Sequence, residues 1–473
     1  MKKRSIVWFR SDLRIHDNES LVEAVAITEE VLPVYVFDER MFMGETSYGF
    51  KKTGIRRTAF LIEAVTDLRK RLQEKGNDLY VAVGKPEEIL VELCSTYQAS
   101  WVICNRERTR EESEVQDALE QKLWSFGREV RYNRGKMLYY TADLPFPVTH
   151  TPDTFTNFRK EVERFIPIRE PFQSPEAIPS VSEEIDYGTI PSLTSLGYST
   201  LEVSDTDANK FQGGETAGLQ QLNYYLWESD LVADYKNTRN EMEGWEYSTK
   251  FSPWLAHGCL SPKMVYSELI RYEKERVKNE STYWVFFELL WRDFFRLMGK
   301  KHGDKIFLES GPREINKEWS DDKFLFDRWA SGQTGIPLVD ACMRQLNDTG
   351  FISNRGRQNA ASFLVNELKI NWIMGAEYFE SKLVDYDPCS NYGNWNYIAG
   401  IGSDPRENRI FNIVSQTKKY DPKGTFIKKY LPELNAVPVE YIDFPTRMPI
   451  DVQKEVGCII GKDYPKALVN LVD

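Results

Sequence analysis

The sequence has few of the residues that usually hold metals or form disulfides. Its 473 residues include only four histidines and six cysteines. No two histidines stand at the spacing of a metal-ligand pair, and no two cysteines form a CxxC pair. We therefore expect no metal site, and the thiols are predicted to be buried in a protein of a reducing compartment. The chemistry must come from carboxylates, aromatic side chains or a cofactor.

The chain also lacks an apolar run long enough to span a bilayer. The apolar run at residues 5–9 follows a basic start, but it is too short for a signal-peptide core and predicts a first buried strand. The net charge of −11 argues against a wholly basic nucleic-acid-binding surface, yet it allows a local basic rim around one pocket. These features predict a cytoplasmic protein without a membrane partner.

The first 130 residues alternate short apolar runs with helix-like periodicity, in a chain too long for a single core. Strands are predicted at 5–9, 32–37, 79–83 and 101–104, and helices at 18–28, 54–75, 86–97 and 111–126. This alternation predicts an α/β domain with a doubly wound parallel sheet over residues 1–130. Because no GxGxxG motif follows the first strand, an ordinary dinucleotide-binding turn is not expected.

Proline-rich residues 131–210 predict a connector that packs along a surface, anchored by Phe155, Phe158 and Phe165. From about residue 213 to 412 the periodicity becomes helical, while the last forty residues are punctuated by prolines and are predicted to be irregular. Residues 211–473 are assigned to one all-α domain. Its helices are expected at 216–229, 261–279, 281–299, 337–349, 357–370 and 375–384.

Three groups of polar and aromatic residues in the helical part could bind a ligand. Residues 248–253 place hydroxyls and a lysine just before a predicted helix start, which suits a phosphate but also suits a plain N-cap. Glu288 and Trp291 share one helix face with Trp284, since they recur at i, i+4 and i+7. Glu288 would there hydrogen-bond a base-like ligand on which Trp291 stacks, or it would be a partly exposed carboxylate beside core tryptophans.

The third group comprises residues 354–359 and 385–397, which are dense in Asn, Asp and Arg among aromatic residues. Such side chains suit hydrogen bonding to a flat heterocycle. The alternative is two Asx-rich loops that cap helices. Residue chemistry alone indicates a planar polar ligand.

Through these residues the sequence resembles the photolyase/cryptochrome family, and within it the DASH subgroup. The resemblance covers nearly the whole chain. It is carried by residues 8–14, 235–240, 287–292, 335–341, 353–359 and 420–424. It implies an antenna domain of α/β type followed by a helical FAD-binding catalytic domain.

The resemblance also implies a set of site residues. Those expected to contact FAD are Tyr235, Ser248, Thr249, Lys250, Phe251, Ser252, Glu288, Asn354, Arg357, Asp385, Asp387 and Asn391. Arg357 would pair with Asp385 over the isoalloxazine edge, and Asn391 would face flavin N5. The implied catalytic residues are Glu288, Trp291 and Asn391. Trp395, Trp372 and Trp319 match the family's electron relay from the surface to the flavin.

The implied reaction is light-driven electron transfer from reduced FAD to a cyclobutane pyrimidine dimer in damaged DNA. Lesion or DNA contacts are expected from Trp291, Gln358, Tyr397 and Arg409. Ordinary dimer photolyases carry a second tryptophan at the place of Tyr397 and a methionine at the place of Gln358. The lesion pocket should therefore be more polar and stack less well, so that single-stranded DNA is the preferred substrate.

In the α/β domain the resemblance implies an antenna cofactor, with methenyltetrahydrofolate expected and Glu107 as its contact. A monomer is expected. Two functions stay open: a repair enzyme and a blue-light receptor that signals through flavin photoreduction. Signalling cryptochromes often carry long C-terminal tails, and this sequence ends at residue 473, soon after the motif at 420–424, which favours the enzyme.

Overall fold

The N-terminal part of the chain forms a five-stranded parallel sheet. The computed structural model describes residues 2–199, 211–403 and 410–471. The strands are β1 (Arg4–Phe9), β2 (Glu30–Asp38), β3 (Tyr80–Gly84), β4 (Trp101–Asn105) and β5 (Glu129–Asn133). Their order across the sheet is β3-β2-β1-β4-β5, and every pair is parallel. The predicted doubly wound sheet is confirmed.

Helices cover both faces of this sheet. They are α1 (Glu19–Ile27), α2 (Glu39–Phe42), α3 (Ile55–Gln73), α4 (Pro86–Thr96) and α5 (Arg110–Trp124). Successive side chains of β1 point to opposite faces. Val7 and Phe9 accordingly join one apolar core, while Ile6 and Trp8 join the other. The continuous apolar run of β1 is thus explained by burial on both sides.

Two details of this region differ from the sequence-based expectation. Strand β5 was not predicted, because its sequence Glu-Val-Arg-Tyr-Asn has no apolar run and it lies at the sheet edge with Glu129 exposed. It ends at Asn133, past the expected domain boundary at residue 130. In the connector, Phe155 and Phe158 are buried as predicted, whereas Phe165 is 54% exposed and anchors nothing.

In the described residues beyond the sheet, helices are joined by turns and irregular segments. The helices are α6 (Phe155–Phe165) in the connector, then α7 (Glu215–Asn223), α8 (Tyr235–Thr238), α9 (Ser252–Ala256), α10 (Pro262–Glu275), α11 (Glu280–His302), α12 (Lys323–Ala330), α13 (Pro337–Thr349), α14 (Asn354–Ser362), α15 (Trp372–Lys382), α16 (Pro388–Ala399), α17 (Ile413–Tyr420), α18 (Thr425–Tyr430) and α19 (Ile450–Glu455). One turn of π-helix at Tyr224–Glu228 continues α7, and another at Phe363–Glu367 continues α14. The predicted all-α C-terminal part is confirmed.

Helix α16 was not predicted, although it carries much of the site. Its sequence, Pro-Cys-Ser-Asn-Tyr-Gly-Asn-Trp-Asn-Tyr-Ile-Ala, is rich in residues of low helix propensity. Two local signals compensate. Asp387 caps the helix by accepting a hydrogen bond from the Ser390 amide, and Pro388 occupies the first turn. The helix then packs along α11 and α15.

Buried polar bridges join the sheet domain to the helical domain. Arg14 is 1% exposed and donates to the Gly258 carbonyl at 2.8 Å. The Glu215 carboxylate, also buried, accepts from the Ile15 amide at 2.7 Å and contacts His16 Nδ1 at 2.5 Å. Removing one partner of such a bridge would leave a buried polar group unsatisfied. These bridges therefore hold the two domains in one arrangement. A cavity lies between them.

The structure can be compared with what the sequence predicts for the cysteines, for metal sites and for membrane-spanning helices. All six cysteines are buried and unpaired, as expected, and burial raises the pKa of Cys104 and of Cys389 to about 12. Within the described ranges no group of three His, Cys, Asp or Glu side chains could hold a metal ion. Within the same ranges no helix is long and apolar enough to cross a membrane.

We expect the stability of the fold to decrease at mildly acidic pH because of His257. Its Nε2 lies 2.8 Å from the Val384 carbonyl, and burial lowers the pKa of His257 to about 4. An unfolded histidine titrates near pH 6.5, so the unfolded state binds more protons between about pH 6.5 and 4. The free energy of unfolding should fall by about 3 kcal/mol across that window, at about 1.4 kcal/mol per pH unit.

Urea denaturation at pH 7 and pH 5 measures this loss. His257→Gln keeps a donor for Val384 and should make the pH dependence shallower. The exposed His150 provides the control His150→Gln, which should leave the dependence unchanged. An unaltered slope in His257→Gln would show that another group causes the acid sensitivity.

Candidate functional site

A cavity of about 320 Å³ lies in the helical domain, between α8, α9, α11, α14 and α16. Every residue that was expected to contact a cofactor lines it. These residues are Tyr235, Ser248, Thr249, Lys250, Phe251, Ser252, Glu288, Asn354, Arg357, Asp385, Asp387 and Asn391. They come from separate parts of the chain, so the fold assembles them. We call this space the helical-domain cavity.

One end of the helical-domain cavity offers groups that suit a phosphate. Lys250 is buried in a left-handed backbone conformation (φ 57°), and its Nζ lies 3.1 Å from Ser248 Oγ. The same ammonium sits 3.1 Å from the Tyr247 ring centroid. No side chain caps α9, so the hydroxyls of this segment are not used as N-caps, contrary to the simpler interpretation. A cation, hydroxyls and backbone amides here suit a pyrophosphate.

A second wall of the cavity is formed by an ion pair with an unused acceptor. Asp385 Oδ2 accepts from Arg357 Nη2 at 2.7 Å and from Ser252 Oγ at 2.6 Å. Asp385 Oδ1 is buried and has no hydrogen-bond partner among the described residues. A buried acceptor without a partner is costly, and a ligand N–H or O–H would satisfy it. This side of the cavity therefore fits the edge of a heterocycle such as a flavin.

The start of α16 presents a carboxylate and an amide. Asp387 Oδ2 accepts from Arg296 Nη2 at 2.6 Å. Burial opposes ionisation, but the charges of Arg296 and Arg292 hold the pKa of Asp387 well below its usual range. One turn further, the buried Asn391 donates its amide N–H to the Ala376 carbonyl at 3.0 Å. Both side chains are thus fixed in orientation at the cavity wall.

Glu288 of α11 is the partly exposed carboxylate of the cavity. Its side chain is 33% exposed, and Oε1 lies 2.6 Å from Arg239 Nη2. Burial raises the pKa of Glu288, and Arg239 only partly offsets this. A carboxyl with a raised pKa can be protonated and then donate a hydrogen bond. Arg239 was not assigned a role from sequence, although it follows Tyr235 by one helical turn.

The residues expected at the lesion are divided between the cavity and its surroundings. Gln358 lines the cavity and accepts from Arg355 Nη1 at 3.0 Å, whereas Trp291 and Tyr397 do not line it. The Trp291 ring is stacked on Phe155 at 3.8 Å with an interplanar angle of 8° and meets Tyr397 edge-on at 6.3 Å. One indole face is therefore already covered, which leaves at most one for a base. Arg409 lies outside the described residues.

The three tryptophans of the expected relay differ in burial and in contact with the cavity. Trp395 lines the cavity and packs so tightly against Gly375 that a Cβ there would lie 2.3 Å from its Cη2 atom. Trp372 is fully buried at the start of α15, one turn before Gly375. Trp319 is half-buried, and its neighbour Ser320 pairs with Ile370 just before α15. Of the three, Trp395 lines the cavity, Trp372 is fully buried and Trp319 is only partly buried, so the relay stays a prediction.

A second cavity, which we call the interdomain cavity, lies between the sheet domain and the helical domain. Glu107, the predicted antenna contact, lines it, and its carboxylate is already engaged. Oε1 is ion-paired with Lys136, and Oε2 lies 4.0 Å from Arg296 Nη1. Lys136, Arg10 and Arg296 together hold the pKa of the buried Glu107 low against the effect of burial. Lys136 and Arg296 had no assigned role from sequence.

Fold and cavities define a class of protein: an α/β domain joined to a helical domain built to hold a large planar cofactor. Family models agree with this description. Residues 5–176 match the model described as DNA photolyase, and residues 284–473 match the FAD binding domain of DNA photolyase. The predicted FAD is thereby supported as the ligand of the helical-domain cavity.

Relatives cover the whole length of the chain. A cryptochrome DASH of Gloeobacter violaceus is 46% identical over 99% of this chain and 93% of its own, and one of Synechocystis sp. is 47% identical over 98% and 95%. A solved Synechocystis cryptochrome superposes with a TM-score of 0.96 at 46% identity, covering 99% and 96% of the two chains. The chain belongs to the photolyase/cryptochrome family, and its resemblance to the DASH subgroup is confirmed.

More distant structures in the family are photolyases. A bacterial class III photolyase from Agrobacterium tumefaciens has a TM-score of 0.84 at 30% identity, over 99% of this chain and 95% of its own. An archaeal photolyase from Sulfolobus tokodaii, described with two FAD molecules, has a TM-score of 0.79 at 27% identity over 99% and 96%. Methenyltetrahydrofolate as the antenna of this chain stays a prediction.

Asp385→Asn is expected to weaken FAD binding by about tenfold or more. The change keeps the side-chain size but leaves Arg357 without its ionic partner. Breaking a fully buried pair costs about 3–5 kcal/mol, and we expect less here because Arg357 is 26% exposed. The FAD content of purified protein and the dissociation constant from flavin fluorescence measure the effect. Asp327→Asn, at an exposed position of α12, is the control, and equal affinities for the two variants would contradict the prediction.

Proposed function

We propose that this protein repairs cyclobutane pyrimidine dimers by light-driven electron transfer, with single-stranded or looped DNA as the preferred substrate. Membership of the family is consistent with DNA repair or with flavin-based light sensing. One observation favours repair. The cavity that carries the Arg357–Asp385 pair and Asn391 also carries Glu288 and Gln358, so a lesion could reach the ligand edge.

When bound, reduced FAD supplies an electron on absorbing blue light and recovers it after the cyclobutane ring has split, so the reaction needs no net oxidant. The residues of this chain hold the reactants. Lys250 and the hydroxyls of Ser248 and Thr249 suit the phosphates, while Asp385 Oδ1 suits a donor on the ligand. Trp395, at the cavity wall, would pass electrons inward from Trp372 and Trp319 when FAD must first be reduced.

Glu288 is proposed to bind the lesion. Because burial raises its pKa, the carboxyl takes up a proton more readily than an exposed glutamate and, once protonated, can donate a hydrogen bond to a pyrimidine carbonyl. That bond would stabilise the negative charge that the dimer acquires. Arg239, 2.6 Å away, would hold the carboxyl in place and add positive charge nearby. Trp291, with one face covered by Phe155, would offer at most its other face to one base.

A light-sensing function is the second candidate. The observation that favours it is Trp395 at the cavity wall, which could load the flavin without any lesion present. Under this hypothesis the reduced flavin would change a surface recognised by a partner. The two functions differ in what the illuminated protein does to damaged DNA.

Illumination of the reduced protein with a dimer-containing oligothymidine separates the candidates. Repair should restore the ultraviolet absorbance of the thymine bases in the light and leave it unchanged in the dark. Glu288→Gln, which keeps a donor but loses the acid, should slow repair while FAD stays bound. Normal flavin photochemistry without any absorbance recovery would contradict repair and favour the receptor.

A further inference from the structure

Four buried charged side chains link the interdomain cavity to the helical-domain cavity. Lys136 is ion-paired with Glu107, whose Oε2 lies 4.0 Å from Arg296 Nη1, and Arg296 Nη2 lies 2.6 Å from Asp387 Oδ2. None of the four side chains is more than 7% exposed. We propose that Arg296 is a positioning residue through which the charge state and contacts of Glu107 set the environment of FAD.

Asp387 is the point where this chain of charges meets the flavin site. It lines both cavities, and the other residues that do so, Ala256 and Tyr386, carry no charge at neutral pH. Its Oδ1 caps α16, the helix that bears Asn391 and Trp395. A change in how Arg296 holds Asp387 therefore acts on the charge beside the flavin and on the start of this helix.

Arg296 is shared unequally by two carboxylates. It is in hydrogen-bond contact with Asp387 but only within ion-pair distance of Glu107, and its Nε has no hydrogen-bond partner among the described residues. A guanidinium can present several N–H groups in a fixed fork, so it can serve both carboxylates at once. If the Glu107 carboxylate loses its charge or moves away from Arg296, the positive charge of Arg296 neutralises Asp387 more completely.

The sign of the effect follows from charge. Reduction adds negative charge to a flavin, and charges buried in the protein are screened only weakly. Better neutralisation of Asp387 should favour the reduced state and shift the midpoint potential of the flavin to more positive values. Glu107→Gln removes the competing carboxylate and should cause this shift, although Glu107 does not line the helical-domain cavity.

A double-mutant cycle on the FAD-loaded protein tests the inference. Arg296→Lys keeps the positive charge but cannot span two carboxylates, because an ammonium is a single point of contact. We expect Glu107→Gln to shift the midpoint potential in the wild-type background and to have little effect in the Arg296→Lys background. An equal shift in both backgrounds would show direct electrostatics instead and would overturn the inference, as would no shift at all.

Two further variants test the same inference, one as a control and one with a shift expected in the opposite direction. Glu111 lines the same interdomain cavity but pairs with Lys52 rather than Arg296, so Glu111→Gln should leave the potential unchanged. Lys136→Gln frees Glu107 to compete for Arg296 and should shift the potential to more negative values. If Arg296→Lys does not fold, a shift in the positive direction for Lys136→Gln, or none, overturns the inference.

This inference rests on FAD in the helical-domain cavity and not on repair. The potentials are measured in the dark without DNA. A protein that holds FAD and shows the non-additive shift but repairs no dimer would contradict the proposed function alone. Additive shifts in a protein that repairs dimers would contradict only the role of Arg296.

Discussion

Trp395→Phe should retain FAD but lose most of its photoreduction under blue light with a thiol reductant. Trp395 is 2% exposed and lines the helical-domain cavity, so it is the member of the relay that would meet the flavin. Phenylalanine fills most of the same space beside Gly375, but it is much harder to oxidise than tryptophan. The electron path from Trp372 and Trp319 would then be interrupted at its inner end.

The measurement is the bleaching of oxidised-flavin absorbance during illumination. Trp329→Phe is a matched control, because Trp329 is fully buried and its ring lies 6.4 Å from that of Trp395, yet it is not part of the expected relay. Repair that starts from chemically reduced FAD should survive Trp395→Phe, since the relay only loads the electron. Unchanged photoreduction in Trp395→Phe would show that another donor dominates, and Trp329 would be the first to examine.

The fold could be predicted where one local pattern decides the structure. Strand β1 was predicted to be buried because its apolar run is continuous. The structure confirms this, since an apolar core lies on each side of the strand. Strand β5 escaped prediction because an edge strand needs no such run. Helix α16 escaped because its stability comes from the Asp387 cap and from packing on its neighbours, which outweigh a poor propensity.

In the functional site, too, features set by a local sequence pattern could be predicted and features set by packing could not. The residues expected around a cofactor come together in one cavity because the motifs that carry them could be recognised one by one. Their partners could not be recognised. Arg239 pairs with Glu288, and Phe155 covers Trp291, across long stretches of sequence. Such pairs depend on how helices pack, and a sequence pattern carries no information on which side chain will face which.

The structure also limits how strongly the protein can stack on an extruded dimer. Trp291 has one face stacked on Phe155 of α6, so it can stack on a base with only the other. Tyr397 supplies a smaller ring than a tryptophan, and Gln358 is already hydrogen-bonded to Arg355. The gain from holding an extruded dimer is therefore limited to about one good stacking contact, worth roughly 1–3 kcal/mol per base.

We expect dimers in single-stranded or looped DNA to be repaired at least about tenfold faster than those in duplex DNA at limiting protein. Extruding a dimer from a duplex costs a few kcal/mol, which is comparable to this stacking gain, and about 1.4 kcal/mol suffices for a tenfold difference in binding. Single strands have little pairing to break. Initial repair rates on matched oligonucleotides that carry one dimer measure the ratio, and binding should weaken as salt is added.

Tyr397→Trp tests the physical cause of this preference. A larger ring beside Trp291 should add stacking and raise the duplex rate more than the single-strand rate, so that the ratio falls. Gln358→Met, which removes a polar group from the cavity wall, should act in the same direction. The exposed Trp124 on the sheet domain, changed to phenylalanine, is the control for a tryptophan–aromatic exchange far from the site. Equal repair of both DNA forms by the wild type would refute the argument from stacking. A ratio that Tyr397→Trp leaves unchanged would show that the preference comes from DNA contacts other than stacking on Trp291 and its neighbour.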